Sequence, residues 1–283
     1  MKKKLRFILL LLFFMLLNNF LYGVIAAAET VSLGIPSKNS ALTLFSNWKQ
    51  ITAEVSKRSG YPLEIVMVKN HQQLTEKMKA GEIDLGYYSP FFYVEAAKKI
   101  DLTPLVMRVK FGSPYYRAGF IVSKESEINS INDLKDKKIA LTAEADSTSG
   151  YYIPLSMLKN NNLDLKKDLK LVFTGKHINV LKSVVYQSVA AGAIKLYILD
   201  EAANQKFRSQ IKIIERSFYL PGSSIAVLSN FDPEKLTKIK AAFLSLATDS
   251  KGLEALKAMQ FDGFVISNDQ LYNPVRDYLK NLD

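Results

Sequence analysis

No cysteine occurs in the 283 residues. That excludes disulfide staples, thiol nucleophiles and the lipidated cysteine that tethers many exported proteins. Histidine is almost as scarce, with only His71 and His177, so a cluster of His and Cys metal ligands cannot be assembled. No Gly-x-Ser-x-Gly elbow marks a hydrolytic serine. Beyond the amino terminus no apolar run reaches membrane-spanning length, and there is no tandem repeat or low-complexity stretch. Basic residues outnumber acidic ones, 38 to 27. They are spread over lysine-rich helix faces without arginine clusters or a basic-aromatic ladder, which argues against nucleic acid as a partner.

The amino terminus does carry a pattern. Lys2, Lys3, Lys4 and Arg6 precede an apolar run over residues 7–17, and Ala26, Ala27 and Ala28 supply a small-residue exit. This is the layout of a cleavable secretory signal peptide, residues 1–28, and predicts a periplasmic protein that is not a lipoprotein. An uncleaved anchor over residues 7–28 is the alternative, but Asn18 and Asn19 interrupt it. Cleavage removes four basic and no acidic residues, leaving 34 against 27, a net charge of +7.

The remaining stretch of about 255 residues suffices for two compact domains. Residues 31–35 predict a strand, and residues 41–58 place Leu42, Leu44, Phe45, Trp48, Ile51 and Val55 at helical spacing, with Phe45 and Trp48 expected in the core. A strand at 63–68, a helix at 72–80 stopped by Gly81 and a strand at 83–87 follow. The alternation resumes at 118–122, 138–142, 150–160, 169–173, 179–188, 193–197 and 211–215, the pattern of a second, parallel-sheet α/β unit. Residues 224–229 add a strand. The remainder reads as mostly helical, with Pro233 opening a helix that runs to 246.

One segment concentrates chemistry: Asp146-Ser147-Thr148-Ser149-Gly150-Tyr151-Tyr152-Ile153-Pro154. Three small hydroxyls and a glycine stand where a loop enters a helix. Unpaired backbone N–H groups, the helix dipole and N-cap hydroxyls together favour an oxyanion there, Gly150 permits close approach, and Pro154 suits a first turn. An ordinary capped helix would use the same residues. The segment follows the strand at 138–142, and open α/β sheets bind ligands at the carboxyl ends of their strands.

In these blocks the chain resembles the phosphonate-binding proteins of ABC transporters, a family covering phosphite and phosphate-like ligands. The likeness runs through Asp84-Leu85-Gly86-Tyr87-Tyr88-Ser89, Gly112-Ser113-Pro114-Tyr115-Tyr116, Ser130-Ile131-Asn132-Asp133-Leu134-Lys135, the Ser147 to Pro154 block, Gly175-Lys176-His177 and Leu220-Pro221-Gly222. It implies a type II periplasmic binding fold, two α/β lobes joined by a two-strand hinge. The lobes would be residues 29–117 with 220–283, and residues 118–219, with crossings near 116–118 and 217–220.

The resemblance also implies a site. Ser147, Thr148 and Ser149 would hold the oxyanion, with Tyr116 and His177 as further donors. His71 stands where family members carry a pocket tyrosine and would be a further ligand contact. Tyr197 and Ser223 stand where aminoethylphosphonate binders carry the acids that hold the ammonium, and Tyr88 joins them as a selectivity position. Asp200 and Glu201 lie nearby as substitute acids or a solvated face. The implied partner is an inner-membrane ABC permease, with no cofactor, no metal and a monomeric state. Two other classes use the same residues: an exported sensing subunit of this fold, and a hydrolase built on Ser147, His177 and Asp146 or Asp200.

Overall fold

The computed structural model describes residues 29–37, 41–143, 145, 147–280 and 282. The expected signal peptide and Asp146 lie outside the described residues.

Three strand-helix repeats open the fold: β1 (Val31–Pro36), α1 (Ala41–Ser59), β2 (Leu63–Val68), α2 (His71–Lys79), β3 (Leu85–Tyr88) and α3 (Pro90–Ala97). Strand β4 (Leu102–Val109) leads to the two-residue β5 (Tyr115–Tyr116). A second run holds β6 (Ala118–Ser123), β7 (Lys137–Leu141), α4 (Ile153–Asn160), β8 (Leu169–Phe173), α5 (His177–Val185), β9 (Ala191–Lys195) and β10 (Ile211–Arg216). The chain returns through β11 (Leu220–Pro221) to β12 (Ser224–Leu228), α6 (Pro233–Leu244), α7 (Ser250–Lys257), β13 (Gly263–Ile266) and α8 (Asn273–Leu279).

Two sheets result, ordered β13-β4-β12-β3-β1-β2 and β10-β6-β9-β7-β8. Between them β5 and β11 pair antiparallel, Leu220 opposite Tyr116. Beside that pair the Ala118 N–H donates to Ser217 Oγ at 2.9 Å and Arg117 Nε to the Ser217 carbonyl at 2.6 Å. The two crossings are thus laced into one hinge.

Strand direction explains where a ligand can sit. Strands β1, β2 and β3 are parallel, and so are β7, β8 and β9. Strand β12 opposes both β3 and β4, while β6 opposes both β9 and β10. The strands that leave for the hinge, β4 and β10, therefore run with the parallel sets, and those that re-enter, β6 and β12, run against them. Both sheets are mixed: in the second unit β7, β8 and β9 are parallel as the pattern predicts, and β6 runs against them. The carboxyl ends of β1 to β4 and of β7 to β10 all open toward the hinge side, the cleft in which α/β sheets bind ligands.

Three elements were not legible in the sequence. Strand β4 contains Pro104, which argues against an interior strand, yet Pro104 sits beside a register shift between Ile225 and Ala226 of β12, where a missing donor is tolerated. Helix α3 reads Pro-Phe-Phe-Tyr-Val-Glu-Ala-Ala and buries most of its length, so it has no polar stripe to reveal its period. Strand β13 is only four residues long. The stripe on α1 also stops short. Trp48, Ile51 and Val55 are fully buried, but Phe45 is 39% and Leu42 87% exposed, because the first turns of α1 overhang the core.

Candidate ligand-binding site

Residue Ser147 caps the segment after β7. Its backbone is extended (φ −150°) and its Oγ accepts the Gly150 N–H at 3.1 Å. Residues Thr148–Tyr152 wind as a wide π-type turn before α4 begins, which places Pro154 in the first turn, where its missing N–H costs nothing. Gly150 is needed for an internal reason: a Cβ there would lie 2.1 Å from Thr142 Oγ1. The close approach is to the end of β7.

Thr148 reaches across the cleft. Its buried Oγ1 accepts the Phe91 N–H at the start of α3 at 3.0 Å, and its hydroxyl donates in a long bond to Ser89 Oγ at 3.5 Å. Phe91 and Tyr152 stack nearly parallel (10°) across the same gap. Ser149 is 1% exposed, and its Oγ has no partner in hydrogen-bond geometry. The Tyr116 hydroxyl faces it closely enough for Ser149 to oppose the rise that burial imposes on the Tyr116 pKa.

Beyond Tyr116 lies a residue whose role no local motif announced. Arg108, at the carboxyl end of β4, is 6% exposed. Its guanidinium carbon stands 5.8 Å from the Tyr116 ring centre, 5.6 Å from that of Tyr197 and 6.0 Å from that of Phe261. Tyr87 also interacts with it, and Tyr87 in turn bonds the Ser223 hydroxyl. Among the described residues no carboxylate lies within ion-pairing distance of Arg108. A buried cation normally has a counter-charge. The sequence signal was a lone arginine in the apolar run Leu105-Val106-Met107-Arg108-Val109.

Tyr197 follows β9. Burial raises its pKa, but Lys195, Arg108 and Lys110 together outweigh that and draw it below the ordinary phenol range. Ser223 accepts the Arg108 N–H on its carbonyl at 3.1 Å. His177 opens α5, and its Nδ1 accepts the Lys195 N–H at 3.3 Å. Burial first, and Lys195 second, hold its pKa well below the usual value, so the ring is neutral with Nε2–H as the available donor.

Two candidates stand apart. His71, at the start of α2, stacks on Phe92 (4.0 Å, 4°) and accepts the Ser89 N–H on Nε2 at 3.4 Å, leaving Nδ1 buried without a partner. Burial lowers its pKa to about 3. It lines a cavity of about 770 Å³ with Phe91, Phe92 and Tyr152, on whose wall Ser147, Ser149, Tyr116 and His177 do not appear. Tyr88 turns into the core, where its hydroxyl pairs with Thr75 Oγ1 at 3.0 Å. The structure thus groups Tyr116, Tyr197 and Ser223 around Arg108 with Ser149 facing Tyr116, sets His177 against Lys195, ties Thr148 to the opposite lobe, and holds His71 on the Ser89 N–H and Tyr88 on Thr75. Among the described residues no group of three or more His, Cys, Asp or Glu side chains could hold a metal ion.

Two α/β lobes, a two-strand hinge and a cleft lined by hydroxyls, ring donors and a buried cation define a solute-binding protein of the type II periplasmic fold. The family model for the periplasmic phosphonate substrate-binding protein of ABC transporters matches residues 33–272, and the chain belongs to that family. It is 27% identical over 251 residues to the phosphate-import protein PhnD of Mycolicibacterium smegmatis, covering 83% of this chain and 75% of that protein. It is 25% identical over 256 residues to the phosphonates-binding periplasmic protein of Escherichia coli, covering 88% and 75%. The same fold occurs in PhnD1 from Prochlorococcus marinus in complex with methylphosphonate, with a TM-score of 0.73 at 17% identity over 90% of this chain and 98% of that one.

Proposed function

We propose that this chain is exported with cleavage after Ala28 and, as a monomer, captures a small phosphorus oxyanion between two lobes, residues 29–117 with 220–283 and residues 118–219, for delivery to an inner-membrane ABC permease. The observation that carries this reading is Arg108, a buried guanidinium without a described carboxylate partner, set over the ring of Tyr116, whose hydroxyl faces the buried Ser149. Leaving such groups uncompensated costs several kcal/mol, and a bound oxyanion would supply the missing acceptor to both. Ser147, Thr148 and Ser149 donate hydroxyls and amides, Tyr116 its phenol and His177 its Nε2–H, while closure over the ligand brings in the α3 terminus near Ser89, with His71 behind it. The protein binds and releases its ligand without turnover.

The selectivity reading has the same basis. Tyr197 and Ser223 surround a cation, so an ammonium-tailed ligand would meet like charge where aminoalkylphosphonate binders offer carboxylates. Calorimetry on the mature protein with methylphosphonate, phosphite, phosphate and 2-aminoethylphosphonate tests both statements. The expected result is binding of at least one of the first three, weaker binding of the amino compound, and a loss of about ten- to a hundredfold in Arg108→Met. Failure of all phosphorus oxyanions to bind would overturn the assignment. Tighter binding of 2-aminoethylphosphonate would overturn the selectivity and point to Asp200 or Glu201 as acids.

A further inference from the structure

We propose that the preferred ligand carries a second anionic group, a carboxylate or a second phosphorus group one or two atoms beyond the phosphorus head, and that Lys110 and Lys195 are its counter-charges. This rests on the phosphorus-oxyanion reading above and adds the chemistry of the ligand's other end.

Three cations converge on the Tyr197 ring. Arg108 Cζ lies 5.6 Å, Lys110 Nζ 5.5 Å and Lys195 Nζ 5.8 Å from its centre. Both lysines are only partly exposed. None of the three has a carboxylate within ion-pairing distance among the described residues. Lys110 Nζ donates instead to Gln260 Oε1 at 3.2 Å and packs over Phe111. Glu201 acts on Lys110 from a distance, and its own carboxylate accepts from Asn204 Nδ2 at 3.0 Å. His177 faces Lys195 as a neutral acceptor of the backbone N–H.

The charge count then decides. A phosphonate head bears at most two negative charges, and Arg108 is the one cation among the groups that serve it, so the head can match at most one of the two lysines. Two further lysines held against Arg108 repel it and each other, an arrangement that a head group alone does not use. A simple alkyl tail would leave at least one of them facing apolar matter. An anionic tail turns the repulsion into charge-assisted hydrogen bonds. Tyr197 orients the cations through its ring face and offers a phenol to the same group.

The test is calorimetry on the mature wild-type protein with methylphosphonate, phosphonoacetate and pyrophosphate at equal ionic strength, repeated with Lys110→Met/Lys195→Met. Phosphonoacetate or pyrophosphate is expected to bind the wild type at least about tenfold more tightly than methylphosphonate, and which of the two wins identifies the tail as carboxylate or phosphoryl. In the double variant the advantage should shrink to within about threefold while methylphosphonate affinity stays within about threefold of wild type. If methylphosphonate binds the wild type as well as both tailed anions, the inference fails and the phosphorus-oxyanion assignment stands. If the advantage survives in the double variant, the lysines are not the counter-charges and the inference fails. If none of the three probes binds, the inference fails, and the assignment falls with it only if phosphite and phosphate also fail to bind. The wild-type comparison decides the matter even if the double variant does not fold, and the charge-keeping Lys110→Arg/Lys195→Arg variant should retain the preference.

Discussion

At the scale of single residues, the three hydroxyls of the proposed cradle have different resting partners and should respond differently to removal. Ser147 Oγ caps its own turn, Thr148 Oγ1 is held by Phe91, and Ser149 Oγ is buried with nothing in hydrogen-bond geometry. Ser149→Ala therefore removes a polar atom that the unliganded fold does not satisfy, so the melting temperature should stay level or rise. Ligand affinity should fall by about 1.5–3 kcal/mol, the worth of a charge-assisted hydrogen bond. Melting and titration of one variant check both halves. Ser147→Ala should instead lose about 1 kcal/mol of stability as an N-cap. The cluster of hydroxyls before a glycine and a proline was readable because its residue types have a local mechanism. Arg108 was not, because a cation on a strand becomes informative only when folding shows what stands beside it.

His71 carries a pH dependence of stability. Its folded pKa, about 3, lies below the ordinary 6.5 because burial disfavours the charged ring. Between those values the unfolded chain binds the proton and the folded chain does not, so stability falls as pH drops from about 6.5 toward 3 and is fully present above 6.5. One such ring contributes a slope of up to about 1.4 kcal/mol per pH unit. His177, lowered in the same direction, adds to it. His71→Phe keeps a ring against Phe92 and should flatten the loss of melting temperature between about pH 6.5 and pH 4.5. An unchanged profile would mean that the ring is protonated in the fold.

At the scale of elements, the turn between β7 and α4 is set by packing against its own strand. An added methyl at Gly150 meets Thr142 Oγ1 at 2.1 Å and Thr142 Cγ2 at 2.5 Å. Gly150→Ala should destabilise the protein by about 1–3 kcal/mol through overpacking, and Thr142→Ala in the same chain should restore part of that. Thermal melts of the single and double variants decide it. Elements with clean periodicity, such as β2 and the body of α1, were legible. Strand β4 and helix α3 were not, since a proline beside a bulge and a helix buried around most of its surface defeat the patterns that identify them. Both missed elements supply the proposed site: β4 brings Arg108 and α3 brings the Phe91 N–H.

At the scale of the molecule, two lobes and a hinge were legible because the strand-helix rhythm runs, lapses and resumes, and because the family blocks fall in order along the chain. The orientation of the lobes was not, because it depends on contacts between residues far apart in sequence. Those contacts include Arg108 and Lys110 over the Tyr197 ring and a buried apolar cluster shared by both lobes. Phe91 stacks on Tyr152, the Phe91 N–H meets Thr148, and α8 ties the lobes at one side, with Ser156 donating to the Tyr278 carbonyl and the Phe218 N–H reaching the Tyr278 hydroxyl at 2.9 Å. Contacts across the cleft mouth are worth little without a ligand, so the closed form should exchange with an open one, and a ligand that binds both lobes should shift that balance. Small-angle scattering is expected to show a smaller radius of gyration with saturating methylphosphonate or phosphate than without. Phe91→Ala should enlarge the unliganded radius and weaken affinity about ten- to thirtyfold by taxing closure, with the liganded radius restored, because the cradle on the other lobe remains whole. A wild-type radius that is the same with and without ligand, together with a Phe91→Ala affinity equal to wild type, would show that the cleft is already fixed in its binding form and that closure contributes nothing to capture.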